Sequence, residues 1–478
     1  MAYTHCDRLS AVDTTFLELE DASAHMHIGA VAEFERAPLA LPDGRLDIAR
    51  IERVIETGLH RVPRYRQKLA WVPLLGNPVW VDDPTFNLHY HVRHTSLPPP
   101  GDERQLKRLA GRILSQQLDR GKPLWELWVV EGLASGRIAV ISKAHHCMID
   151  GVGSVELTSI TMQTTPEGDP RLEGPPPPWV PRAAPSPLEL VAAETLHRAR
   201  APFLGLRAVA RGALAPVSSV RACRDMLHGV VESLVAGMRP SSPTSLNVEI
   251  GPHRRFDWCE TDLDQVKRVK QRLGGTVNDV VLAVVAGALR RFLRQRGMAV
   301  EALDFRAMVP VNLRTESDRT VGNRVATIVA RLPLDARAPR ERLERVIAET
   351  RALKGSHQAQ GMQAIEDLGD ATFPSLFIAF GRAMAVARPF NLVVTNVPGP
   401  PFPVYMLGAR MLACHPLVPL YRNQALGIAL FSYDGRLFWG FNADWDAMPD
   451  LHELVEAIES EARRLADAAS NGESAPSD

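Results

Sequence analysis

The chain has 478 residues, of which 45% are hydrophobic and 23% charged, and its 55 Lys and Arg balance 55 Asp and Glu. This length predicts two domains of ordinary size, and the composition is typical of a globular protein. A formal net charge of zero provides no overall field for nucleic acid, so we expect no nucleic-acid partner.

Cysteine usage and hydropathy indicate the compartment. The five cysteines are scattered without a CxxC pair, which predicts neither a disulfide framework nor a metal site. No basic-then-apolar signal sequence is evident, and the longest apolar run, 280–289, is far below the ~20 residues that span a bilayer. We expect a cytoplasmic protein, with peripheral contact to the inner membrane face or lipid inclusions left open.

Residues 1–165 are predicted to form the first domain. His25 and His27 lie on one face of an alternating, strand-like segment, but no third ligand is near enough in sequence to predict a metal site. Amphipathic helices are predicted over 46–60 and 103–118. Between these helices, His89, His91 and His94 occur in an alternating run and are predicted to lie on a solvated strand face.

The segments 123–131 and 138–145 are predicted to pair as a hairpin. The first begins at Pro123, Leu124 and Trp125, and the second is a short apolar run that follows a turn-like Ala-Ser-Gly. We interpret Pro123, Leu124 and Trp125 as a strand start with an aromatic core anchor that supports a neighbouring site, and not as groups that act on substrate.

The segment 143–151 reads KAHHCMIDG, and it places two histidines at the end of this strand. Consecutive strand side chains point to opposite faces, so only one of His145 and His146 can face a given cleft, which argues against a shared metal. A single imidazole in a cleft is a usual general base. Cys147 beside it suggests a nucleophile, but an apolar environment keeps a thiol protonated.

An Asp-Gly turn follows the histidines. Gly151 permits a backbone conformation that a Cβ forbids. Asp150 is expected to support the loop by a charge-assisted hydrogen bond, with Arg306 and Arg314 as candidate partners; orientation of His146 is its alternative role. A helix is predicted over 155–164.

A Pro-rich and helical connector, 166–247, is predicted to separate this domain from a second one, 248–469, which a disordered tail, 470–478, follows. In the second domain, Thr276 or Asn278 caps a helix whose first turn carries Asp279. Asn278 and Asp279 are therefore either structural caps or groups that also contact substrate. An apolar helix over 373–386 is predicted to line an acyl tunnel, to touch a membrane or to belong to the core.

Several motifs resemble those of a known family. The HHxxxDG pattern at 145–151 is similar to that of CoA-dependent acyltransferases. The PLW at 123–125, the ND at 278–279, the NVPGP at 396–400 and the opening segment 9–17 resemble the bacterial wax ester synthase/diacylglycerol acyltransferase family within it. These matches occur in family order over nearly the whole chain.

The resemblance implies an α/β fold of two chloramphenicol acetyltransferase-like domains, each a mixed β-sheet flanked by helices, with an active-site tunnel between them. It also implies an O-acyltransferase that moves a long-chain acyl group from acyl-CoA, a substrate and not a cofactor, to diacylglycerol or a fatty alcohol. His146 would be the general base and His145 an orienting residue. No metal is implied, and the oligomeric state stays undetermined.

Two further interpretations remain at this point. A condensation- or acetyltransferase-type enzyme would use another acceptor, although no carrier domain adjoins the chain. A catalytically silent lipid-binding protein would keep the fold without the chemistry, although such a protein has no need of a base at His146.

Overall fold

The computed structural model of this protein describes residues 6–148, 161–167, 174–213, 238–312, 325–355, 379, 381–383 and 386–470. Nine α-helices have their bounds in this part of the chain. They are α1 (Ala11–Leu19), α2 (Ile48–Gly58), α3 (Leu88–His91), α4 (Glu103–Leu114), α5 (Pro187–Ala213), α6 (Leu263–Leu273), α7 (Val277–Gln295), α8 (Pro339–Gly355) and α9 (Leu451–Ser470).

Fifteen strands lie in the same described ranges. They are β1 (Cys6–Arg8), β2 (His27–Phe34), β3 (Gln67–Trp71), β4 (Pro78–Asp82), β5 (Val92–Ser96), β6 (Trp125–Glu131), β7 (Ile138–His145), β8 (Arg254–Asp262), β9 (Arg306–Asn312), β10 (Val325–Arg331), β11 (Leu392–Pro398), β12 (Tyr405–Met406), β13 (Ala409–Leu417), β14 (Leu426–Tyr433) and β15 (Arg436–Asp444).

Two six-stranded mixed sheets organise the molecule. The first has the order β12-β13-β2-β7-β6-β5, in which only β5 and β6 are parallel. The second has the order β10-β9-β11-β14-β15-β8, with β11 parallel to both β9 and β14. The predicted α/β fold of two mixed sheets with flanking helices is confirmed.

The helices begin where the sequence supplies caps. Asp102 caps α4 in a capping box with Gln105, and the apolar positions of α4 face inward at Leu106, Ala110 and Ile113. The hairpin of β14 and β15 turns at Asp434 and Gly435, and both have positive φ, as a two-residue type I′ connection requires.

The chain crosses between the sheets in a way that the sequence did not predict. Strands β12 and β13 come from the C-terminal half but complete the first sheet, where β13 pairs with β2. The proposed division at 165, 247 and 469 assigns this segment to the second domain, and it stays a prediction. The connector helix α5 packs Leu190 against the small sheet β1-β4-β3 of the first half.

Candidate active site

Strand β7 positions the two histidines. It lies between β2 and β6, and His145 is its last residue, while His146 begins a 3₁₀ turn, His146–Met148. The His145 N–H donates to the Leu124 carbonyl at 2.9 Å, and the His146 N–H donates to the Met26 carbonyl at 2.7 Å. Both histidine backbones are therefore fixed by neighbouring chain segments.

His146 has the environment of a neutral imidazole. Its ring stacks on Phe16 of α1 with 3.9 Å between ring centroids, and the residue is partly exposed. Burial, and then the proximity of His145, lower the pKa of His146 to about 4. The buried Nδ1 makes no hydrogen bond within the described ranges. The ring is thus deprotonated at neutral pH and can accept a proton.

Pro123, Leu124 and Trp125 are all buried next to His145. Besides the Leu124 carbonyl that holds His145, the Trp125 indole N–H donates to the Tyr65 carbonyl at 2.8 Å. The position of these three residues beside β7 fits a supporting role, which stays a prediction.

His91 corrects one expectation from the sequence. It was predicted on a solvated strand face, but it is buried at the end of α3 and stacks on Trp125 with 4.6 Å between centroids. Its Nδ1 lies 2.8 Å from the Trp125 carbonyl. A contact with an aromatic ring distant in sequence gives no periodic signal, so the alternation of polar residues was misleading here.

Asp279 has the contacts of a structural group. Its carboxylate accepts from the Thr276 N–H at 2.7 Å and hydroxyl at 2.8 Å, which closes a capping box, and from the Thr350 hydroxyl at 2.7 Å. Asn278 lies beside it, partly exposed, and its side chain makes no hydrogen bond to another described residue. The Asp279 carboxylate is thus occupied by protein contacts, and a contact between Asn278 and substrate stays a prediction.

Asp150, Gly151 and Arg314 lie outside the described residues. Of the helix predicted over 155–164, only residues 161–164 are described. Most of the helix predicted over 373–386 also lies outside the described residues. Arg306, one candidate partner of Asp150, donates to both carboxylate oxygens of Asp304, and its pairing with Asp150 stays a prediction. Burial raises the pKa of the Cys147 thiol well above its ordinary value, which disfavours the thiolate nucleophile.

Two residues that the sequence analysis did not select, Glu20 and Arg120, form a cluster with His27 beside His145. The buried carboxylate of Glu20 has one oxygen 3.6 Å from His145 Nε2 and the other 3.6 Å from His27 Nε2. Arg120 donates to Glu20 from its Nε at 3.0 Å and its Nη2 at 2.7 Å. The only sequence signal was the alternation that places His25 and His27 on one face.

No group of three His, Cys, Asp or Glu within the described ranges has an arrangement that could hold a metal ion. A cleft of about 520 Å³ opens between the sheets around Glu33, Arg137 and His415. His415 pairs with Val31, four positions along β2 from His27, and Glu33 is six positions away, so these two lining residues are about 13 and about 20 Å from the His145 end of the sheet. It is therefore distinct from the surroundings of His146.

Comparisons with known proteins cover nearly the whole chain. The family model of the wax ester synthase/diacylglycerol acyltransferase catalytic domain matches residues 9–281, and that of the C-terminal domain matches residues 321–466. A Mycobacterium tuberculosis CDC 1551 protein, named as a candidate diacylglycerol O-acyltransferase, is 32% identical over 475 residues, or 96% of this chain and 90% of that protein. A second relative, tgs1 of strain H37Rv, is 31% identical, with 96% of each chain covered.

Solved structures show the same fold. The wax ester synthase/diacylglycerol acyltransferase from Marinobacter aquaeolei VT8 superimposes with a TM-score of 0.67 at 26% identity, covering 97% of this chain and all of that one (100%). The first condensation domain of the CDA synthetase, at 16% identity and a TM-score of 0.58, covers 98% of this chain and 96% of its own and shares the fold alone. The chain belongs to the wax ester synthase/diacylglycerol acyltransferase family.

Proposed function

We propose that this protein transfers a long-chain fatty acyl group from acyl-CoA to diacylglycerol, forming triacylglycerol, with His146 as the general base. Family membership and the names of the mycobacterial relatives support the reaction class. The observation that carries the role of His146 is its neutral ring at the end of β7, held at its backbone by Met26.

The reaction requires no covalent acyl-enzyme. His146 accepts the proton of the acceptor hydroxyl while the oxygen attacks the thioester carbonyl, which gives a tetrahedral oxyanion. Collapse of this intermediate breaks the carbon–sulfur bond, and the departing CoA thiolate takes the proton back from His146. A positioned base contributes roughly 100- to 10,000-fold to such a step. Asn278 is a candidate for a contact with substrate, because its partly exposed side chain makes no hydrogen bond to another described residue.

The family name covers two acceptors, so the test offers both. Purified protein with labelled palmitoyl-CoA is given diacylglycerol or hexadecanol, and the labelled lipids are separated. We expect labelled triacylglycerol from diacylglycerol and labelled wax ester from hexadecanol. The ratio of the two rates gives the acceptor preference. His146→Ala protein that remains folded serves as the matched control and is expected to form little of either. Labelled ester from neither acceptor contradicts the proposal.

We also propose a cytoplasmic location with peripheral contact to lipid, since diacylglycerol is insoluble in water. Within the described ranges no single helix is long and apolar enough to cross a bilayer; α6 and α7 pass only as a pair bent by 99°. Leu74, at the β3–β4 turn, is fully exposed (100%), and Leu188 of α5 is 82% exposed. Both can insert among lipid chains.

Flotation with phosphatidylcholine vesicles that contain diacylglycerol tests this contact. Wild-type protein is expected to float with the vesicles, and a Leu74→Asp, Leu188→Asp double variant to stay largely below. Equal flotation of both proteins contradicts a contact through these side chains.

A further inference from the structure

The carboxylate of Glu20 occupies a fixed position behind the histidine pair. Glu20 ends α1 as its C-cap residue, and its side chain is only 3% exposed. Arg120 donates to this carboxylate from Nε and Nη2 and also donates to the Leu17 carbonyl at 2.8 Å. Burial alone raises the pKa of Glu20, but the nearby His145 ring and the hydrogen bonds from Arg120 outweigh burial and lower it, so the group is ionised.

His145 lies between this carboxylate and the backbone that follows His146. The Cys147 N–H donates to His145 Nδ1 at 3.1 Å. A nitrogen that accepts a hydrogen bond cannot carry the ring proton in a neutral imidazole, which places that proton on Nε2. Nε2 faces a carboxylate oxygen of Glu20 at 3.6 Å, and an oxygen at this position favours the tautomer with the proton on Nε2.

The tautomer of His145 matters because Nδ1 accepts the hydrogen bond from the Cys147 N–H. Cys147 directly follows His146, and its amide is part of the 3₁₀ turn His146–Met148. In the opposite tautomer, Nδ1–H and the Cys147 N–H would be two donors facing each other. The turn would then have to move, and the His146 ring would move with it relative to Phe16.

We propose that Glu20 is a positioning residue of the acyl transfer: it fixes the tautomer of His145, and His145 in turn fixes the turn that carries His146. This inference rests on the proposed role of His146 as the base. The second carboxylate oxygen faces His27, whose pKa is lowered well below its ordinary value by burial and then by Lys143. His27 is therefore neutral and leaves the negative charge of Glu20 to Arg120 and His145.

Two substitutions at Glu20 separate positioning from folding. In Glu20→Gln an amide oxygen can take the place of the carboxylate oxygen that accepts from Arg120 and faces His145 Nε2, so we expect kcat within about threefold of wild type. Glu20→Leu keeps the volume but removes the acceptor, and we expect kcat to fall tenfold or more with KM for palmitoyl-CoA unchanged, because misplacement by about 1 Å costs on the order of 100-fold. Arg120 is 37% exposed and can turn to water in this variant.

Glu52→Leu is the matched control. Its carboxylate also pairs with an imidazole, that of His89 at 3.0 Å, but on the surface of α2. We expect wild-type kcat from this variant. Folded Glu20→Leu protein with wild-type kcat, or an equal loss in Glu20→Gln, overturns the inference.

A spectroscopic measurement needs no variant of Glu20. Long-range ¹H–¹⁵N correlation of the ¹⁵N-histidine protein is expected to show His145 protonated on Nε2 only, with its signals assigned by their loss in His145→Asn. A proton on Nδ1 overturns the inference. An inactive His146→Ala protein together with a fully active Glu20→Leu protein would overturn the role of Glu20 and leave the role of His146 standing. A fully active His146→Ala protein would overturn the role of His146 as the base.

Discussion

The proposed base, His146, has a pKa lowered to about 4, so it is a weak base but is deprotonated near neutral pH. A low pKa gives a smaller driving force for proton transfer, which orientation of the bound hydroxyl and thioester must offset. The backbone contacts of His145 and His146 fix the position of the imidazole itself, whose ring stacks on Phe16.

The pH dependence of kcat/KM tests this state of His146. An ordinary histidine base gives an acidic limb near pH 6.5, whereas a pKa lowered to about 4 moves that limb down, because the proton is lost at lower pH. We expect kcat/KM with diacylglycerol to stay level between about pH 5.5 and 7.5, measured on protein that is folded throughout. A tenfold fall across this range that follows an inflection near 6.5 contradicts the lowered pKa.

At the scale of the elements, strand β13 joins the two halves. It pairs with β2 in the first sheet, yet Pro416 on β13 approaches Gly440 on β15 of the second sheet so closely that a Cβ on Gly440 would lie 1.7 Å from the Pro416 carbonyl oxygen. The two sheets therefore touch backbone to backbone at this point, and glycine is required for the contact.

Gly440→Ala is expected to lower the free energy of unfolding by about 1–3 kcal/mol or more, because backbone atoms on both sides must shift. The midpoint of thermal unfolding measures the loss. Gly251→Ala is the control, since its added Cβ meets its nearest neighbour, the Asp444 carboxylate, at an ordinary 3.7 Å. Equal midpoints for the two variants contradict a close backbone contact at Gly440.

Local patterns predicted these elements well, and long-range contacts limited the rest. Amphipathic spacing predicted α2 and α4, and two apolar runs around a turn predicted the hairpin of β6 and β7, since each signal lies within one segment. The return of β13 to the first sheet has no local signature, because the sequence pattern of a strand is the same whichever sheet the strand joins. Glu20 likewise reaches His145 only through the fold, so its place beside the motif could not be read from the sequence.

Across the whole molecule, several histidines are buried in neutral form. Burial lowers the pKa of His415 to about 3 and that of His146 to about 4, and it also lowers the pKa values of His25, His27 and His91. Each ring carries an ordinary pKa near 6.5 once the chain unfolds. Below that pH the unfolded state binds protons that the folded state does not, so acidification favours unfolding.

Thermal stability is therefore expected to decline as the pH falls from about 6.5 toward 4, and to recover as it rises, with each such histidine contributing up to about 1.4 kcal/mol per pH unit. His415 stacks on Trp258 with 4.7 Å between centroids, so His415→Phe keeps an aromatic ring there. We expect unfolding midpoints of this variant to depend less steeply on pH than those of wild type. Identical slopes contradict burial of a neutral His415.

The central claim is that His146 removes the proton of the acceptor alcohol. Its most direct test is the rate of CoA release from palmitoyl-CoA, at saturating diacylglycerol, by wild-type and His146→Ala proteins with matching circular dichroism. We predict a fall in kcat of roughly 100- to 10,000-fold with little change in KM. A folded His146→Ala protein that releases CoA and forms triacylglycerol at the wild-type rate contradicts the claim.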